Sequence, residues 1–110
     1  MRIQRVVADT YVVLITEDHV TDEQALRTTL ATPAAYIGMI GSRRKVGAIV
    51  AHLRADGFTA EQLARVRAPI GLDLGGRGPA EIALAILAEV ELVRHGGSGQ
   101  PRSISGEEAL

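Results

Sequence analysis

Apolar positions along the chain form short unbroken runs separated by stretches with helical spacing. The first run, Tyr11–Ile15 between Thr10 and Thr16, is rich in β-branched residues and too short for a helix. It reads as a buried strand. Residues 3–8 ahead of it fit a short extended or helical lead-in. Thr21 or Asp22 then caps a predicted helix over 22–31, with Ala25, Leu26 and Leu30 on one face and Glu23 in the first turn. Pro33 stops that helix. Ala35–Ile40 is a second buried run, and Gly41 and Ser42 turn the chain into a helix over 43–55. Its apolar positions Val46, Ile49, Val50 and Leu53 follow the i, i+3, i+4, i+7 pattern. Asp56 and Gly57 end it, glycine being the natural left-handed residue after a helix. Thr59 and Gln62 have capping-box spacing and open a short third helix. Val66–Ile70 fits a short third strand, and Gly71–Gly78 a loop. Pro79, at the first helical position, opens a fourth helix that runs to about Arg94. Residues 96–110 lack periodicity and are expected to form a flexible tail, leaving 1–95 as one folded unit.

Strands alternating with helices predict an α/β fold: a three-layer parallel sheet flanked by helices. The fourth helix strains that picture. Residues 82–88 (IALAILA) are apolar on every side, and such a helix is expected to be buried all round. One face can pack on the sheet. The other calls for a partner subunit, hence a homodimer or a complementary half-domain.

Composition narrows the function classes. The chain has 110 residues, 46% of them apolar and 23% charged, as expected for one small globular domain. No apolar run nears the roughly 18 residues of a membrane span, and the N-terminus lacks the pattern of a signal peptide. A net charge of −1 and 3% aromatic residues argue against nucleic-acid binding. Cysteine is absent, which excludes disulfides, thiolate metal sites and a cysteine nucleophile, and fits a reducing, cytoplasmic setting.

In open α/β sheets ligands bind beyond the carboxyl ends of the strands. Three segments qualify here: Thr16–His19, Gly41–Lys45 and Gly71–Gly78. The second stands out, because Arg43, Arg44 and Lys45 place three cations in the first turn of a helix, against its dipole. A bound anion would reverse that sign, held by free N–H groups, the Ser42 hydroxyl and the guanidinium forks. The alternative is that the arginines pair with Asp18, Asp73 or solvent. The glycine loop does not follow GxGxxG or P-loop spacing, and a tight strand-to-helix connection explains it as well. Asp73 is either a cation partner or a ligand contact. Of the histidines, His95 suits a helix C-terminus, His52 a solvated helix face, and His19, in a strand-end loop, has a functional prospect. No metal-ligand spacing is evident, helix capping explains Ser42 better than nucleophilic chemistry, and no catalytic constellation emerges.

Three segments together, Tyr11–Asp22 (YVVLITEDHVTD), Tyr36–Lys45 (YIGMIGSRRK) and Ala68–Val90 (APIGLDLGGRGPAEIALAILAEV), resemble the C-terminal Rossmann-like domain of the XdhC/CoxF family. These are accessory factors of molybdenum hydroxylases such as xanthine dehydrogenase and carbon monoxide dehydrogenase. The resemblance implies an accessory or chaperone protein without turnover, which binds the molybdenum cofactor (molybdopterin) as cargo and helps deliver it to a hydroxylase subunit. It favours Gly41, Ser42, Arg43 and Arg44 as cofactor contacts, with Asp73, Gly75 and His19 in neighbouring loops. Two departures stand out. Thr16-Glu17-Asp18-His19 replaces an expected Thr-His-Asp-His, and the opening strand, glycine-turn and strand–helix unit of a complete Rossmann-like domain is not seen. The chain thus reads as a partial Rossmann-like fold, and binding of NAD or FAD is not expected. A nucleotide-binding oxidoreductase fragment and a pure interaction module are the competing readings.

Overall fold

The computed structural model describes residues 6–16 and 18–104. In chain order its elements are β1 (Tyr11–Leu14), α1 (His19–Leu30), β2 (Tyr36–Met39), α2 (Arg43–Ala55), α3 (Ala60–Leu63), β3 (Val66–Arg67) and α4 (Pro79–His95). The strands form one parallel sheet in the order β1-β2-β3, with Tyr11 opposite Tyr36 and Ile37 opposite Val66. The fold is α/β, as the alternation of elements requires. Residues 6–8 of the expected lead-in join neither a helix nor a strand, and residues 3–5 lie outside the described residues. Residues 97–104 of the expected tail have no helix or strand, and the rest of it lies outside the described residues.

Two boundaries differ from expectation for identifiable reasons. Helix α1 starts at His19, because Asp18 rather than Thr21 or Asp22 is its cap. The Asp18 carboxylate accepts the Thr21 N–H at 3.1 Å and the Thr21 hydroxyl at 2.8 Å. Strand β3 stops after two residues, since Pro69 has no N–H to continue the ladder. The chain rejoins the sheet one residue later, where Ile70 N–H donates to Met39 C=O at 3.1 Å.

Strand alternation sends β2 side chains to two different layers. Ile37 and Met39 enter the main core, with Leu26 and Leu30 of α1 and Val46, Ile49 and Leu53 of α2. Tyr36, on the other face, is fully buried and donates its hydroxyl to Glu89 of α4 at 2.7 Å. Gly38 shares that face because nothing larger fits. A Cβ there would lie 2.7 Å from Ile70 Cγ1 and 2.8 Å from the Tyr36 ring. Gly38→Ala is therefore expected to destabilise by about 1–3 kcal/mol through overpacking. A denaturant midpoint unchanged from the parent would contradict this.

The fourth helix corrects the expectation of all-round burial. Only Ala85 and Glu89 of α4 are buried, while Leu84 and Leu87 remain 61% and 64% exposed. A small sheet gives α4 one stripe of contact, and the centre of that stripe is a carboxylate. Glu89 accepts from Tyr36 and, at 3.1 Å, from the backbone N–H of Gly71. Burial, then the bond to Glu89, pushes the Tyr36 hydroxyl's pKa well above its ordinary value.

Candidate functional site

Backbone hydrogen bonds align the strand-end segments along one edge of the sheet. Ile40 N–H donates to Leu14 C=O at 3.2 Å, and Ile70 N–H to Met39 C=O. The turns that follow β1, β2 and β3 therefore leave from neighbouring positions.

At the centre of this edge, Ser42 caps α2 in an extended conformation, its hydroxyl oxygen accepting the Lys45 N–H at 3.1 Å. The Ser42 carbonyl accepts from Val46 N–H at 3.0 Å. A hydroxyl with one lone pair used still has its own proton to donate. Arg43 and Arg44 are exposed, and among the described residues neither makes an ion pair or side-chain hydrogen bond. The pairing with Asp18 or Asp73 is not formed. Asp18 is instead occupied by Thr21, whose hydroxyl and N–H hold its carboxyl below the usual pKa. Asp73 is exposed, in a tight turn closed by Leu74 N–H donating to Leu72 C=O at 3.0 Å. Gly75 beside it is also exposed, with φ of 89° and open space where a Cβ would stand.

Lys45 does not join the two arginines. Its ammonium pairs with Asp22, a fully buried carboxylate in the first turn of α1 that also receives the Thr16 hydroxyl. The Lys45 stem folds across Gly41, where a Cβ would meet Lys45 Cε at 2.5 Å. Gly41 is thus the residue that lets Lys45 reach across to Asp22. Sequence reasoning treated Asp22 as a cap candidate and missed this role. The available signal was its position in the buried stripe of α1, alongside Ala25, Leu26, Thr29 and Leu30.

His19 lies on the seam between α1 and α2. There it joins Glu23 and His52, the ligand atoms of all three lying within 4.8 Å of one another. His52 is solvated, as expected, but is also engaged by a neighbour. Its Nδ1 is 2.9 Å from Glu23 Oε1, although the side chain stays 66% exposed. That contact, ahead of Arg27, holds the Glu23 carboxyl below its ordinary pKa.

A model of the XdhC Rossmann domain matches residues 1–90, and the chain belongs to that family. Among similar proteins is Uncharacterized protein YqeB of Escherichia coli, 36% identical over 91 residues, covering 83% of this chain and 16% of YqeB. The Molybdenum cofactor insertion chaperone PaoD of the same organism is 31% identical over 86 residues, covering 78% of this chain and 27% of PaoD. The chain thus spans well under half the length of these relatives. The crystal structure of a xanthine dehydrogenase from Bacillus halodurans shares the fold, with a TM-score of 0.68 at 22% identity over 96% of this chain and 28% of that one.

Proposed function

We propose that this domain is part of an accessory factor for molybdenum hydroxylase maturation, binding the molybdenum cofactor as cargo and helping to pass it to a xanthine dehydrogenase-type apo-enzyme. The observation that carries this reading is its 31% identity, over 78% of the chain, to a protein named as a molybdenum cofactor insertion chaperone. The exposed, unpaired arginines at a helix start support it from the side of chemistry. The backbone N–H groups of Arg43 and Arg44, the Ser42 hydroxyl and two guanidinium forks can converge on one phosphate group. Lys45, neutralised by Asp22, leaves the anion to the arginines. In this reading Asp73 and Gly75, on the loop that follows β3, add further cofactor contacts. In this reading these groups bind and release the cofactor, and the domain acts without turnover. The setting is cytoplasmic, where a hydroxylase subunit would be matured.

The exposed apolar side of α4, with Leu84 and Leu87, supports docking to a second protein surface. Size-exclusion chromatography with light scattering is expected to show a homodimer, or a monomer that shifts to a complex when a molybdenum hydroxylase subunit is added. A stable monomer that leaves the subunit's elution unchanged would contradict the docking role.

A further inference from the structure

We infer that His19, Glu23 and His52 form a binding site for a divalent transition-metal ion of the zinc class, a role separate from the cofactor reading and not resting on it. His19 and Glu23 are four residues apart on α1, so they stand one above the other on the same face. His52 reaches them from α2. Their ligand atoms already lie within 4.8 Å of one another, whereas tetrahedral zinc with bonds of about 2.0–2.1 Å spaces its donors roughly 3.4 Å apart. Metal binding there requires side-chain rotation to close a difference of at most about 1.4 Å.

The carboxylate is oriented for this task. Arg27 holds Glu23 Oε2 through Nε at 3.3 Å and Nη2 at 3.2 Å, leaving Oε1 turned toward His52. The charge of Arg27 is offset in turn by Asp56, 2.5 Å away. Two imidazole donors suit zinc, copper and nickel, whereas magnesium and calcium take all-oxygen shells, to which this set offers only one carboxylate. Two imidazoles and one carboxylate complete three positions of a tetrahedron, and the fourth stays open toward solvent. The three residues share a surface depression with Val20, Gln24 and Arg27, so the ion has an entry path. A hydrogen-bonded cluster alone explains less. It accounts for the His52–Glu23 contact, but among the described residues the His19 ring makes no hydrogen bond, although it converges on the same point.

Calorimetry of untagged protein with zinc chloride tests the assignment, with cobalt absorption as the spectroscopic readout. Saturable binding of one ion per chain is expected, with visible cobalt bands and no response to magnesium. His19→Ala and His52→Ala should each weaken zinc binding more than about tenfold, the lower end of what losing even a supporting residue does to a metal site. His95→Ala, an exposed residue paired with Glu91 at 3.4 Å, should leave binding unchanged. Circular dichroism of each variant establishes that the fold is kept. Absence of saturable zinc binding by the parent protein would overturn the assignment, as would binding that persists in the His19→Ala/His52→Ala double variant.

Discussion

Replacing Lys45 with methionine is expected to destabilise the domain more than any other single change at the strand-end edge. Asp22 is fully buried, and Lys45 is the cation that neutralises it. Removing one member of a buried pair leaves the other charge uncompensated, at about 3–5 kcal/mol. The Lys45 side chain keeps 22% of its surface in water, so we expect somewhat less than that range, about 2–4 kcal/mol. In a domain of this size that lowers Tm by roughly 10 °C or more. The double variant Asp22→Leu/Lys45→Met should recover much of the loss, because apolar residues of similar volume often replace a buried ion pair at no net penalty. Thermal unfolding of both variants decides the point. A Lys45→Met protein within about 0.5 kcal/mol of the parent, the range of ordinary surface changes, would show that the pair does not hold the two helices together.

The second large effect concerns binding rather than stability. Arg43→Ala or Arg44→Ala should weaken anion binding about tenfold or more, since charge-assisted hydrogen bonds contribute roughly 1.5–3 kcal/mol each. Stability should hold or rise slightly, because cations in the first turn oppose the helix dipole by about 0.3–1 kcal/mol each when exposed. Both arginines are exposed and make no ion pair among the described residues, so neither variant breaks a contact within the domain. Lysine should substitute poorly, having no planar fork to grip two oxygens at once. Melting curves with and without phosphate, for the parent and both variants, read the two quantities together. Variants that lose stability while phosphate fails to shift the parent would contradict the cradle.

Features set by neighbours a few residues away were legible in the sequence. The Thr59–Gln62 capping box forms as read, Ser42 caps α2, and Pro79 stands in the first turn of α4. What escaped is tertiary. Asp22 meets Lys45 from 23 positions away, Glu23 meets His52 from 29, and Tyr36 meets Glu89 from 53. An acid near a helix start reads as a cap or a first-turn charge, and even where its place in the apolar stripe signals burial, local spacing does not name its partner on another helix. The same blindness made α4 look wholly buried, since periodicity counts apolar positions but not the area of sheet available to cover them. At the candidate site, the arginines and Ser42 were visible because a helix start and its charges adjoin in sequence. The separation of Lys45 from them was not, because it depends on the reach of its side chain over Gly41.

In the proposed reading this domain holds the molybdenum cofactor at the start of α2. Its most direct test is to purify the chain from cells that make the cofactor, then release and oxidise any bound pterin and measure its fluorescence per mole of protein. The account predicts pterin well above that of an unrelated control protein, and its loss in the Arg43→Ala/Arg44→Ala double variant. Pterin no higher than the control, or retained unchanged by the double variant, would contradict it.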